Sequence, residues 1–274
     1  MDKNKVAIVT GGSEGLGFGI ASALAVKGIH VYLVSRTLEK LKQAKAKIQD
    51  DGGKADVRAA DITDMNAMKE VIEDVYKEHG RLDIFINNAG AWGGHSLDTP
   101  FADIWKLIEL DMKAPYQIAH YLAGRFKDEK KNKLGIVSIL SQSSIKVLGN
   151  SLGYGTAKMA LAAGLFHIDK DLEREKVENV TQFRIYPKTM ATEKMMPAIK
   201  ANQVKEAVKL EYVENTVIDL LEGTTPTRDA LIGYYIGRGV VRTFLSSNPE
   251  KFYHPAVTSE EILDADFTTQ DLME

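Results

Sequence analysis

The sequence predicts an α/β fold with a doubly wound parallel sheet and helices on both faces. Three observations predict it. Short apolar, β-branched runs alternate with longer amphipathic stretches as far as about residue 189. The first apolar run ends in a glycine-rich turn that opens directly into a helical pattern. No internal repeat, low-complexity tract or linker divides the chain, so residues 1–274 are expected to form one domain. Strands separated by helix-length segments imply βαβ units, with right-handed crossovers.

The elements follow in order. Residues 6–10 read as a strand, 15–27 as a helix, 30–35 as a second strand, and 38–49 as a lysine-rich helix with a solvated face. Residues 54–60 are a third strand, 65–79 a third helix and 82–87 a fourth strand. One long helix is expected over 101–126, a fifth strand over 135–140, another long helix over 154–174, and a sixth strand over 180–186. The pattern then blurs. Residues 189–201 are irregular and carry Met190, Met195 and Met196; 203–221 read as a helix and 229–236 as a strand. The region 189–222 is a candidate lid over the substrate, with an ordinary loop anchored by a few methionines as the equal alternative for its Met-rich part, and the acidic stretch 255–274 is a surface tail or partner-covering segment.

Composition narrows the function. The 274 residues carry a net charge of −3, with 44% hydrophobic and 27% charged residues, which is globular rather than disordered. That charge argues against a dedicated nucleic-acid binder. There is no cysteine, hence no disulfide, thiolate zinc site or cysteine nucleophile. No apolar run is long enough for a membrane span, and no signal-peptide core is recognisable. A cytoplasmic protein is expected, and no metal site.

The chemistry concentrates in a few motifs. Thr10-Gly11-Gly12-Ser13-Glu14-Gly15-Leu16-Gly17 follows the first strand and opens the first helix. Glycines let backbone approach a pyrophosphate, and a helix N-terminus offers free N–H groups and a positive dipole end. Gly11, Ser13, Glu14, Gly15, Leu16 and Gly17 are therefore candidate dinucleotide contacts, in a Rossmann-type arrangement. Arg36 ends the second strand, where a dinucleotide's adenosine ribose lies. An acidic residue there binds the 2′-OH, whereas arginine accommodates a 2′-phosphate. The pair Ser35-Arg36 favours NADP(H); NAD(H) stays open, as does an ordinary surface arginine. Asp61, followed by Ile62, is a candidate adenine contact, with a carboxylate near a helix N-cap as the equal alternative for Asp61. Asn87, Asn88, Ala89 and Gly90 close the fourth strand, where an open α/β sheet keeps its ligand crevice.

Tyr154 and Lys158 are four residues apart on one helix face. A free tyrosine is a poor acid–base group at neutral pH, and a neighbouring ammonium stabilises its phenolate. Alone, this spacing recurs by chance in many helices. Ser141 follows the fifth strand and can hydrogen-bond a carbonyl; Ser138, Ser143 and Ser144 compete with it. Trp92 is a substrate-lining residue or a packing aromatic, and His95 an exposed loop histidine.

Together and in this order, these motifs resemble the short-chain dehydrogenase/reductase family, its single-domain branch, over roughly residues 5–192. The resemblance implies an NAD(P)-dependent oxidoreductase that interconverts a carbonyl and an alcohol. It implies Tyr154 as general acid, Lys158 as its electrostatic partner and ribose contact, and Ser141 as the group orienting the carbonyl. Pro187 and Thr192 match the residues that flank the nicotinamide. A homodimer or homotetramer built on the two long helices is also implied. Four features depart from the pattern. Asp111 stands where the family's fourth catalytic residue, an asparagine, is expected. Lys188 replaces the glycine after Pro187, Leu140 replaces the first serine of the serine motif, and the glycine-rich ending is missing. The alternative these raise is an NADP-binding scaffold with impaired turnover.

Overall fold

The computed structural model describes residues 4–129, 131–193, 195–201, 207–235, 239–245 and 269–271. The chain enters the centre of its sheet. Strand β1 (Val6–Thr10) leads through helix α1 (Gly15–Val26) to β2 (His30–Ser35), then through α2 (Leu38–Asp50) to β3 (Lys54–Ala59) at one edge. Helix α3 (Met65–His79) carries the chain back to β4 (Ile84–Asn87), which pairs with β1 on its other side. The other half follows: α4 (Phe101–Ile108), a π-helical turn (Glu109–Lys113), α5 (Ala114–Phe126), β5 (Leu134–Ile139), α6 (Leu152–Arg174) and β6 (Val180–Pro187). Next come α7 (Met196–Lys200), α8 (Leu210–Glu222), β7 (Asp229–Tyr235), β8 (Gly239–Leu245) and β9 (Thr269–Asp271). The strand order is β3-β2-β1-β4-β5-β6-β7-β8-β9. Strands β1 to β7 are parallel, whereas β8 and β9 join antiparallel.

Alternation along the strands makes two cores. Val6 and Ile8 face α3, α5 and α6, packing with Met68, Ile118 and Leu165. Ala7 and Val9 face the opposite layer of α1, α2 and α8, with Ile20, Leu41 and Val217. Both faces of β1 are covered, so its sequence is apolar throughout, as a central parallel strand requires. Local signals set the ends. Asp64 caps α3 by accepting from the N–H groups of Asn66 and Ala67, and Gly80 closes it at φ 66°.

The expected helix over 101–126 is one continuous run, but not a regular one. Pro115 has no N–H to give the carbonyl four residues earlier, and the turn widens to π geometry over Glu109–Lys113. The helix expected over 203–221 starts at Leu210, because Val208 is held extended by a bridge to Met190 and a bond from its N–H to the Thr189 carbonyl. Residues 202–206 and 194 of the expected lid lie outside the described residues. Strand β8 was not anticipated. Arg242 interrupts its apolar pattern, yet is buried, donating to Asp219 at 2.5 Å and to Thr216 at 3.2 Å. The expected tail contributes β9, three residues paired with β8; the remainder of 255–274 lies outside the described residues.

A second buried charge fixes β6 between α6 and β7. Arg184 has no exposed surface. Its guanidinium forks onto Asp229 at 2.5 and 3.0 Å and reaches Asp169 at 2.7 Å. Gln182 donates to the other Asp169 oxygen, Tyr186 to Asp229, and the Phe166 ring lies 3.9 Å from the guanidinium carbon. Arg184→Met should therefore strand two buried carboxylates and cost about 3–5 kcal/mol. Urea unfolding measures this. Arg174→Met, which breaks only exposed pairs, should leave the midpoint nearly unchanged.

Candidate active site

The carboxyl ends of β1 and β4 meet where the strand order reverses, the crevice position of an open α/β sheet. One side chain ties the two loops together there. The Thr10 hydroxyl donates to the Ile86 carbonyl and accepts from the N–H groups of Asn88 and Ala89, at 3.0 to 3.1 Å. The Asn88 side chain donates back to the Thr10 carbonyl at 2.9 Å. Its amide thus shapes the glycine turn. In the sequence Thr10 stood at the head of the glycine motif with no hydrogen-bonding role read for it.

The glycines differ in what they do. Gly17 lets helix and turn touch: a Cβ there would sit 2.2 Å from the Gly11 carbonyl oxygen. Gly15 has φ +56° and open space where a side chain would be. Glu14 precedes α1 in extended conformation and gives no side-chain cap, so the first N–H groups of α1 face the crevice without a capping side chain. Ser13 is half-buried beside them and Leu16 is buried. The donors and the gap fit a pyrophosphate. The Glu14 carboxylate instead takes the Lys40 ammonium at 2.7 Å. Lys40 went unread in the sequence, although it lies four residues beyond Arg36, in the first turn of α2.

At the end of β2, Arg36 is largely exposed and lies 4.0 Å from Asp61. Asp61 also accepts from the N–H and hydroxyl of Thr63, which makes it a turn-former ahead of the true cap, Asp64. Ile62 is buried. A cavity of about 450 Å³ opens here, lined by Arg36, Asp61, Thr63, Leu110 and Ala114 among others.

On the other side of the crevice two opposite charges are buried in contact. The Lys158 ammonium lies 3.1 Å from Asp111 Oδ1 and donates to the Ile139 carbonyl at 3.2 Å. The second Asp111 oxygen accepts from the Ala91 N–H at 3.0 Å. The two side chains are 1% and 7% exposed. Burial, the strongest single influence, would push the lysine toward its neutral form, but the Asp111 charge, Tyr154 and the Asp111 hydrogen bond together outweigh it and hold Lys158 above its ordinary value. Gly90 leaves room for the pair, since a Cβ there would lie 2.4 Å from Asp111 Oδ1. The Lys158 nitrogen is 5.7 Å from the Tyr154 ring centre, and Tyr154 is half-buried at the crevice.

Ser141 follows β5 and begins a 3-10 turn (Gln142–Ser144) packed against α6. Its oxygen accepts from the Ser143 N–H at 3.1 Å, which leaves its O–H as a donor. Ser138, Ser143 and Ser144 are buried in the sheet end and turn. Pro187 is buried at the end of β6, and the Thr192 carbonyl accepts from the N–H groups of Met195 and Met196. Lys188 lays its stem along β7, where Gly233 makes room for it. Among the described residues no cluster of His, Cys, Asp or Glu could hold a metal ion.

This arrangement defines a nicotinamide-dinucleotide-binding oxidoreductase on a Rossmann-type fold. The short chain dehydrogenase model matches residues 5–203, and the chain belongs to that family. It is 29% identical to a fatty acyl-CoA reductase of Acinetobacter baylyi, over 86% of this chain and 78% of that protein. It is 33% identical to a sorbose reductase of Candida albicans, over 63% of this chain and 61% of that one, so it spans less than two thirds of that relative. A metagenomic short-chain oxidoreductase crystallised with NADP superposes with a TM-score of 0.69 and 25% identity, covering 83% of this chain and 96% of the other.

The buried pair makes a prediction that needs no substrate. Asp111→Asn should destabilise the protein by about 3–5 kcal/mol near neutral pH, because it strands a buried ammonium. With its folded value raised, Lys158 contributes stability below its ordinary value of 10.5, and that is lost as pH rises through the folded value. In the variant, burial dominates and the ammonium sheds its proton at lower pH. The stability gap between the two proteins should therefore narrow across the alkaline range that spans the ordinary value of 10.5. Urea midpoints across that range measure it; a constant gap would contradict the ion pair.

Proposed function

We propose that this chain interconverts a carbonyl and an alcohol with NADP(H), Tyr154 serving as general acid in reduction and general base in oxidation. The observation that carries this reading is a buried ammonium, fixed between Asp111 and Ile139, one helical turn from a tyrosine that reaches the crevice. Lys158 stabilises the phenolate left when Tyr154 gives up its proton. The Ser141 O–H donates to the substrate oxygen and orients it. Asp111 holds the Lys158 ammonium in place. The nicotinamide supplies or accepts the hydride when bound.

The dinucleotide would be held by Gly11, Ser13, Glu14, Gly15, Leu16 and Gly17 at the N-terminus of α1. Asp61 and Ile62 serve its adenine. Asn88, Ala89, Gly90, Pro187 and Thr192, with Tyr154 and Lys158, serve the nicotinamide end. Arg36 would take the 2′-phosphate, with Lys40 as a second cation; this arginine is what favours NADP(H), since the solved relatives include both NADP-bound and NAD-bound proteins. No helix among the described residues is long and apolar enough to cross a membrane, and we place the enzyme in the cytoplasm. A homodimer or homotetramer is proposed on the outer face of α4, where Phe101 and Trp105 stand exposed and stacked, 6.1 Å between ring centres.

Tyr154→Phe should cut carbonyl-dependent NADPH oxidation by about 10² or more while leaving NADPH affinity nearly intact. Turnover assays and fluorescence titration together test it, and near-normal turnover would overturn the assignment. Wild type should bind NADPH more tightly than NADH, and Arg36→Ala should shrink that preference by about tenfold or more, the worth of a charge-assisted contact. Equal dissociation constants in the wild type would refute the NADP(H) reading.

The Asp111 carboxylate favours one other reading, because it partly cancels the field Lys158 exerts on Tyr154. A dinucleotide-binding scaffold would show no turnover with any carbonyl, and Asp111→Asn would restore it.

A further inference from the structure

We infer that the substrate is an elongated apolar carbonyl compound or alcohol, not a sugar or polyol; the inference rests on the oxidoreductase reading and names its substrate class. The observation is where the chain leaves large apolar side chains in water. Trp92 is 72% exposed, Leu97 94% and Val147 84%, with Leu148 and Leu152 exposed as well. Four of the five lie on two loops, the one after β4 and the one before α6, and Leu152 is the first residue of α6.

Both loops are anchored at the proton-transfer groups. The first starts where the Ala91 N–H binds Asp111. The second leads into Leu152, two residues before Tyr154. Backbone fastens them to each other. The His95 N–H donates to the Asn150 carbonyl and the Leu152 N–H to the His95 carbonyl, both at 3.2 Å, around a bridge between His95 and Ser151. The contact is close: a Cβ on Gly153 would lie 2.5 Å from His95 Nδ1, and one on Gly94 would lie 2.7 Å from the Asn150 amide nitrogen. The apolar side chains thus stand on two segments braced against each other, one beginning beside Asp111's partner Ala91 and the other running into the helix that carries Tyr154.

Exposed apolar side chains gathered around a reactive centre mark a surface that is covered in use. A polyol against these side chains would lose water from several hydroxyls and find few partners in return, a strongly unfavourable exchange. A molecule with one polar group and an apolar chain fits: its oxygen meets Tyr154 and Ser141, and its chain covers the apolar side chains. A second copy of this chain seated on the same five residues would seal Tyr154 from its substrate. The stacked Phe101–Trp105 pair on α4 is a separate patch on a helix face.

The test is NADPH oxidation by the full chain with butanal, hexanal, octanal and dodecanal, set against sorbose and fructose. We expect kcat/KM to rise about two- to fourfold per methylene over the shorter members, as burial of each CH2 predicts, with the sugars poorest. Leu97→Asp and Val147→Asp, both at exposed positions, should lower the dodecanal-to-butanal ratio of kcat/KM by about tenfold or more. A flat series, or sugars turned over better than octanal, overturns the inference and leaves the oxidoreductase reading standing. Light scattering on the same variants covers the other occupant: conversion of a dimer to monomers with the chain-length dependence unchanged would assign these side chains to a second copy and overturn the inference. If no carbonyl is turned over, binding of octanol and dodecanol, read by tryptophan fluorescence, separates the two failures. Tighter binding of the longer alcohol, weakened in Leu97→Asp, sustains the apolar site while the reaction assignment falls; equal or absent binding sinks both.

Discussion

The ion pair between Lys158 and Asp111 is the constraint around which the site is assembled. Neither charge has water to fall back on, so each must find the other, and each has one further contact to satisfy. The lysine takes the last carbonyl of β5, and the aspartate takes an N–H from the loop after β4. Three elements that are distant in sequence are thereby held to within hydrogen-bond reach: the start of α6, the turn between α4 and α5, and the carboxyl end of the sheet. Gly90 follows from the same demand, because any side chain there would occupy the space of the carboxylate.

Across the crevice the joint is neutral. Thr10 and Asn88 exchange hydrogen bonds so that the turn after β1 and the turn after β4 form one unit. The glycines then divide their duties, Gly17 allowing close contact within that unit and Gly15 leaving backbone open on its outer side. A dinucleotide-binding surface arises because two strands that are not consecutive end side by side, which is a property of the topology rather than of any single motif.

The alternation of apolar strands and amphipathic helices was legible through α6, because covered parallel strands must be apolar and one-sided helices must be periodic. That Tyr154 and Lys158 share one helix face was legible from their spacing, although only the other motifs beside it gave that spacing weight. The meeting of Lys158 with Asp111 could not: it depends on how α6 packs against the π turn, and sequence carries no distance between helices. The π turn had a cause in plain sight, Pro115, but a proline near a helix start is also ordinary, and the apolar period continues past it. Strand β8 was hidden for a different reason. Its Arg242 and Thr243 are polar residues in buried positions, so the pattern of burial and the pattern of hydropathy disagree. Among the described residues between 189 and 209, the chain is held by backbone bonds such as that between Val208 and Thr189, which side-chain character does not announce.

The π turn also acts as a phase-shifter. Regular helix advances about 100° per residue, so one residue more or less between α4 and α5 rotates one against the other by that angle. As built, α4 aims Ile104 and Ile108 at Ala157 on α6, while α5 aims Ile118 and Leu122 into the sheet. The two helices answer to different neighbours, and the wide turn reconciles them. Removing a single residue there would barely change the length of the helix, yet each α4 side chain would take its successor's orientation, turning Asp103 and Lys106 toward the interior and Ile104 out toward water. For anyone recombining this chain with a relative, the turn is therefore a poor crossover point: each side must be inherited with its own packing partners, or the angular register is lost although every contact residue is retained.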